Sequence, residues 1–236
     1  MRGVFVTFEG TEGVGKTTQI QRLSADLTIQ RYPVVVTREP GGTAISEQIR
    51  SLLLDPENTA MKSTSELLLY AASRAQHVLE KINPALEEGK IVISDRFADA
   101  SLAYQGYGRG LDIDLIRNLN RIATNGIIPD ITFLLDLPVD IGLKRAGKRG
   151  RGFDRLEREK TEFHQRIRQG YLEMADQEPN RIKVVSAEHD EDQVYTSIKE
   201  DADRIHELSS NFSQYIEGLK SELLATVDDP KDYETM

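Results

Sequence analysis

Nine residues near the amino terminus, Gly10-Thr11-Glu12-Gly13-Val14-Gly15-Lys16-Thr17-Thr18, carry the most specific chemistry in the chain. Their spacing, Gly-x4-Gly-Lys-Thr, is that of a loop that binds phosphate. Its glycines let the backbone turn tightly and point several N–H groups inward, toward an anion. Lys16 would reach the β- and γ-phosphates of a nucleoside triphosphate, and the Thr17 hydroxyl would ligate a Mg²⁺ ion bridging them. This chemistry needs a strand before the loop and a helix after it. Phe5-Val6-Thr7-Phe8 is β-branched and aromatic, as a buried strand requires, and Ile20, Leu23 and Leu27 recur at helical spacing. The helix would present its positive dipole end to the anion.

Other charged groups fall where later strands should end. Pro33–Thr37 reads as a second strand running into Arg38-Glu39-Pro40-Gly41-Gly42-Thr43, with Arg50 soon after. Doubly wound sheets place their ligands at such carboxyl ends, although a plain strand-to-helix turn would also explain the glycines and proline. Residues 66–77 read as a helix with Leu67, Tyr70 and Arg74 on one face. An aromatic ring and a guanidinium one turn apart could grip a nucleobase; a core tyrosine beside a solvated arginine is the alternative. Lys90–Ser94 is a third strand ending in Asp95-Arg96-Phe97. Asp95 could hold a metal-bound water or orient its neighbour, and Arg96 could bridge donor and acceptor phosphates, unless the two form a turn ion pair. Ser101, Tyr104 and Gln105 follow on a helix.

Asp130–Asp136 gives a fourth strand, with Asp136 at its end as a metal ligand, a helix cap or a support for the sheet. Residues 159–176 read as a helix, Ile182–Ala187 as a fifth strand and 194–208 as a closing helix. Five strands alternating with helices imply a three-layer α/β fold with a parallel sheet and right-handed crossovers. Domain organisation follows: residues 1–208 form one domain, and 209–236 an extension with a marginal amphipathic helix and an acidic end.

The 236 residues contain no cysteine and carry a net charge of −9. Thiolate metal sites and disulfides are excluded, and a general nucleic-acid binder is disfavoured because phosphate backbones would be repelled. The four histidines share no spacing that suggests zinc. Apolar runs are short and no leader precedes the first strand, so the expectation is a cytoplasmic protein without a membrane span. One basic island interrupts the acidic chain: Lys144, Arg145, Lys148, Arg149, Arg151, Arg155 and Arg158, punctuated by Gly147, Gly150 and Gly152. A flexible basic segment over 144–158 suits a lid that closes on a small polyanion.

Arginines at several strand ends are expected where two phosphate-bearing substrates are clamped together. An acceptor that is itself a phosphate monoester brings its own nucleophilic oxygen and needs no general base. The segments Glu9–Gln19, Arg38–Thr43, Tyr70–Arg74, Asp95–Phe97 and Ala103–Gly106 together resemble bacterial thymidylate kinases, in the same order, over about residues 4–208. The resemblance implies a P-loop nucleoside monophosphate kinase that transfers the γ-phosphoryl of ATP to the 5′-phosphate of dTMP, with Mg²⁺, for dTTP biosynthesis, as a homodimer. It implies that Tyr70 stacks on thymine, that Arg74 hydrogen-bonds the base, and that Ser101 and Gln105 complete the pocket, beside Glu39 and Pro40. Tyr104 would lie near the sugar 2′ position, Glu12 near the 3′-hydroxyl and metal, and Arg50 and Arg96 on the acceptor phosphate. Residues 10–18 and Arg145 would hold ATP, Arg145 on the adenine side.

Three departures stand out. Some family members carry an arginine inside the loop where this chain has Gly13, so Arg151 and Arg155 in the lid become the candidates to meet transition-state charge. Phe97 replaces the usual tyrosine or histidine, and Tyr70 the commoner phenylalanine. Another monophosphate or deoxynucleoside kinase on the same scaffold, or a non-catalytic ATP-binding switch, are the alternative readings.

Overall fold

Runs of apolar residues that are buried on both faces can sit only in the middle of a layered structure. Val6, Phe8, Ile93 and Phe133 are such residues, each fully buried. The computed structural model describes residues 2–148, 150, 152–201 and 205. Expectations for Arg149, Arg151, the closing helix beyond 201 apart from residue 205, and the 209–236 extension lie outside those residues.

The described residues form five strands: β1 (Phe5–Glu9), β2 (Val34–Arg38), β3 (Ile91–Asp95), β4 (Ile131–Asp136) and β5 (Ile182–Ser186). All pairings are parallel, in the order β2-β3-β1-β4-β5. The expected strands are each found within a residue or two of their predicted ends. β1 is central, and its neighbours on either side come from later in the chain, so a crevice opens beyond its carboxyl end.

Successive side chains of a strand face opposite layers. Val6 and Phe8 of β1 face a core built with Ile20, Leu23 and Leu27 of α1 (Lys16–Ile29) and with Val194, Ile198 and Ile205. Phe5 faces the other way, packing edge-on against Phe97 with ring centroids 4.8 Å apart. On that side lie α2 (Ala44–Leu54), α3 (Ser63–His77), α4 (Asn83–Glu87), α5 (Ala98–Ser101) and α6 (Ile113–Ala123), whereas α7 (Val139–Gly147) packs its Ile141 against the α1 core; α8 (Thr161–Gln177) buries Phe163, Ile167 and Tyr171 against Tyr104. α3 runs into a π-helical turn at Val78–Ile82, and α5 into another at Leu102–Gly108. The second carries Tyr104 and Gln105, and widened turns of this kind often lie at functional sites.

Asp136 does not cap the helix that follows it. The residue before α7 is Pro138, with no side-chain cap, and both Asp136 oxygens accept from Arg168, at 2.7 Å each. Support for the sheet end is the reading that holds.

Candidate active site

The loop between β1 and α1 takes the conformation its glycines allow. Gly10, Gly13 and Gly15 have φ of 130°, 75° and 94°, values that L-residues with a Cβ rarely adopt. Gly15 precedes the first turn of α1, which has no acidic residue and no side-chain cap. Its backbone N–H groups therefore remain available to an anion. Lys16 is buried, and its Nζ donates to the carbonyls of Gly10 and Thr11, at 3.0 Å each. Burial, helped by the Arg96 charge, lowers its pKa to about 8, against the pull of Asp95, Glu12 and Glu9.

A cleft of about 890 Å³ opens over this loop, within the size range of small-molecule sites. Residues 12–18 form its floor. Glu39, Pro40 and Arg50 stand on one wall, Tyr70 and Arg74 of α3 beside them. Asp95 and Arg96, then Ser101, Tyr104 and Gln105, close the next side, while Arg145 marks the far end with Ala187, His189, Asp190 and Val194. Almost every residue singled out in the sequence thus reaches one cavity. Gly10 and Thr11 contribute through the carbonyls that hold Lys16.

Arg96 links the two halves of the cleft. Its backbone has φ 70°, its Nη1 donates to the Gly10 carbonyl at 2.6 Å, and its Nη2 pairs with Glu12. The Tyr104 hydroxyl donates to the same Glu12 oxygen at 2.9 Å, and the guanidinium lies 5.1 Å from the Tyr104 ring. Arg50 donates to the Pro40 carbonyl at 2.7 Å. A second anion would meet both arginines within reach of the first.

Arg74 is almost wholly buried and highly committed. Its Nε donates to Glu39 at 2.7 Å, its Nη1 to Ser101 and Asn120 at 2.9 and 2.8 Å, and its Nη2 to the Phe97 carbonyl at 2.9 Å. Four of a guanidinium's five N–H groups are thereby used. The solvated-arginine alternative is excluded. Phe97 explains its own departure from tyrosine or histidine: the ring is fully buried against Phe5, where a hydroxyl would have to find a partner in the core. Tyr70 is half-buried at the cleft, and burial, with Glu66 nearby, raises its hydroxyl pKa.

Arg155 takes a different place from the one its composition suggested. It is absent from the cleft wall; its Nε donates to the Leu53 carbonyl at 2.8 Å and its Nη1 pairs with Glu66 at 2.6 Å. Glu66 also accepts from Gln105 at 2.9 Å and from Arg109. Burial raises the Glu66 pKa, but the hydrogen bonds and charges of these partners prevail and hold it below the ordinary carboxylate value.

Sequence reasoning missed the supporting groups. Glu9, buried at the end of β1, accepts from the Phe97 N–H at 2.7 Å and the Tyr171 hydroxyl at 2.6 Å. Burial and the Asp99 charge push its pKa up to about 7, opposed by Arg96 and by those hydrogen bonds. Asn120 and Tyr171 lie on α6 and α8, far in sequence from the residues they support; Glu66 and His77 share α3 with Tyr70 and Arg74, at i−4 and i+3 spacing that could have pointed to them.

A phosphate-binding loop, a second cationic wall and an aromatic slot on one P-loop sheet define a nucleotide-dependent phosphotransferase. Comparison with known proteins makes this specific. The family model described as thymidylate kinase matches residues 8–198, and the chain belongs to the thymidylate kinase family. It is 54% identical over 188 residues to the thymidylate kinase of Geotalea uraniireducens (strain Rf4), covering 78% of this chain and 88% of that one. With the thymidylate kinase of Carboxydothermus hydrogenoformans (strain ATCC BAA-161 / DSM 6008 / Z-2901) it shares 51% over 199 residues, covering 84% and 96%. Among solved structures, thymidylate kinase from Ehrlichia chaffeensis superposes with a TM-score of 0.69 at 37% identity, covering 84% of this chain and 97% of that chain.

Proposed function

We infer that this cleft transfers the γ-phosphoryl group of ATP to dTMP, giving dTDP and ADP. Family membership makes the chain an ATP-dependent phosphotransferase acting on dTMP. The division of labour among its residues is our reading. The observation that carries it is the position of Arg96, bonded to a carbonyl of the phosphate loop and to Glu12 while facing the acceptor wall.

In this reading the backbone of residues 10–18 and Lys16 hold the ATP phosphates, and Arg145 covers the adenine end beside His189 and Val194. Arg50 and Arg96 hold the acceptor phosphate, whose ionised oxygen attacks the γ-phosphorus as ADP departs. Tyr70 stacks on thymine. The N–H that Arg74 retains faces a base carbonyl, with Ser101 and Gln105 beside it. Tyr104 crowds the sugar 2′ position, and Glu12, held between Arg96 and Tyr104, meets the 3′-hydroxyl.

Among the described residues no group of three or more His, Cys, Asp or Glu side chains could hold a metal ion. That donor set fits Mg²⁺ carried chiefly by phosphates, with the exposed Thr17 and, through water, Asp95 as protein partners. When bound, Mg²⁺ neutralises charge on the β- and γ-oxygens.

Segment 144–158 is the lid of a domain spanning residues 1–208. With Arg155 committed to Glu66 and Leu53, we assign the transition-state clamp to Arg151. The neighbouring helices α2, α3 and α6 each expose apolar side chains, Leu52, Leu68 and Leu115 among them, and a second copy would cover them as a homodimer. No described helix is long and apolar enough to cross a membrane; work in the cytoplasm, supplying dTTP synthesis, completes the reading. Equal amounts of dTDP and ADP formed from ATP and dTMP test it; ATP consumption without dTDP would overturn it.

A further inference from the structure

Arg74 and His77 lie one turn apart on α3 and reach the same carboxylate from its two oxygens. Arg74 Nε is 2.7 Å from Glu39 Oε2, and His77 Nδ1 is 3.0 Å from Glu39 Oε1. The other ring nitrogen of His77, Nε2, lies 2.6 Å from Thr37 Oγ1. A carboxylate oxygen only accepts, so Nδ1 carries the hydrogen, and in the neutral imidazole Nε2 accepts from the threonine hydroxyl. The chain therefore runs from the Thr37 O–H to Nε2, from Nδ1–H to Oε1, and from the Arg74 N–H to Oε2.

Packing seals this relay. His77 is fully buried and Glu39 nearly so. The turn at Gly42 presses its backbone onto the pair: a Cβ there would stand 2.6 Å from His77 Nε2 and 2.7 Å from Thr37 Oγ1. Gly41 N–H donates to Ser73 Oγ and Ser46 Oγ to the Ser73 carbonyl, keying the same turn to α3. With only Arg74 attached, the Glu39 carboxylate could turn about its own stem and loosen the Nε contact, leaving the guanidinium to Ser101, Asn120 and the Phe97 carbonyl alone. The second bond, to His77, fixes that rotation.

We propose that His77 is a positioning residue for base selection, acting through Glu39 to fix the one Arg74 N–H left for the nucleobase. This rests on the reading that Arg74 faces a thymine carbonyl. A single fixed donor accepts a carbonyl and rejects the amino group of cytosine at the same position, and a supporting shell that lets it drift weakens that distinction.

The test compares His77→Leu, which removes both ring nitrogens, with His77→Asn, which keeps an N–H donor near Nδ1. Loss of one charge-assisted support predicts roughly a tenfold rise in KM for dTMP in His77→Leu, a reduced preference for dTMP over dCMP, and KM for ATP within about twofold of wild type. His77→Asn should recover most of the loss. Thr37→Val removes the hydroxyl behind Nε2 at nearly constant volume and should move the same constants in the same direction, less far; it carries the test should His77→Leu fail to fold. Unchanged KM and base preference in the folded variants would overturn the proposal, as would KM for both substrates rising together without recovery in His77→Asn. Arg74→Gln separates the two readings. Preference intact in Arg74→Gln removes Arg74 from base reading; preference lost there but kept in His77→Leu and Thr37→Val removes only His77.

Discussion

Gly13 and Gly15 offer a controlled comparison within one loop. Both have left-handed φ, 75° and 94°, so alanine at either meets a backbone penalty of about 1–2 kcal/mol. Only Gly13 meets a neighbour. A Cβ there would lie 2.0 Å from the Gly142 carbonyl oxygen, whereas at Gly15 nothing lies within 4 Å. The contact is reciprocal, since a Cβ on Gly142 would lie 2.4 Å from the Glu12 carbonyl oxygen. The first turns of α7 thus sit directly on the loop backbone, and relief requires backbone movement costing about 1–3 kcal/mol more. Gly13→Ala should therefore be less stable than Gly15→Ala by roughly 2 kcal/mol, a Tm difference on the order of 5 °C for a domain of this size. Urea or thermal unfolding of the two variants without nucleotide is the assay. Equal stability within about 0.5 kcal/mol would refute the close approach as the reason for glycine. The same contact accounts for the missing loop arginine: a side chain at position 13 needs α7 to retreat first.

Three further outcomes concern charged side chains. Glu9 binds its proton more tightly in the fold, at about 7, than in the unfolded chain, at 4.5. Stability should be full below the unfolded value and fall as pH rises toward 7, by about 3 kcal/mol, and Glu9→Gln should flatten that slope in unfolding titrations. Glu66 has the opposite sign: its depressed pKa makes it stabilising above the unfolded value and lost as pH falls through the folded one. Glu66→Leu removes the carboxylate partner of Arg155 and leaves Arg109 with Glu159 alone, and should cost about 3 kcal/mol at neutral pH; a loss below about 1 kcal/mol would show that water replaces the carboxylate. Arg151→Ala should lower kcat by several orders of magnitude with ATP affinity retained, while Arg155→Ala acts on the anchoring of its segment and lowers stability. Wild-type turnover in Arg151→Ala would remove it from the reaction.

The strands and the phosphate loop were legible because both are local. Ile91–Ile93 can bury on two faces only as a strand, the β-branched run Val34–Val36 suits the edge strand it forms, and Gly10–Thr17 encodes its own turn. Cleft membership was legible at the ends of β2 and β3, where Arg38, Asp95 and Arg96 line the cavity, but not at the end of β4, where Asp136 pairs with Arg168 instead. The direction of a long side chain was not. The resemblance offered Arg155 as a transition-state clamp, yet its Nη1 and Nε are held by Glu66 and the Leu53 carbonyl, and neither is near it in sequence. Arg74 shows the same limit: its place on a helical face was readable, but Glu39, the Phe97–Ser101 segment and Asn120 meet it from three separate parts of the chain. Spacing along one element cannot report contacts that only the crossovers create.

The most direct test of the account is ADP formation from Mg·ATP with dTMP, dUMP, ribothymidine monophosphate, dCMP and AMP offered separately. A strong preference for dTMP over both the ribose analogue and dCMP is predicted, since in the proposed reading Tyr104 and Arg74 guard the sugar and the base independently. Equal turnover of dCMP or of the ribose analogue would contradict the assignment of the corresponding wall, and absence of transfer to dTMP would contradict the account as a whole.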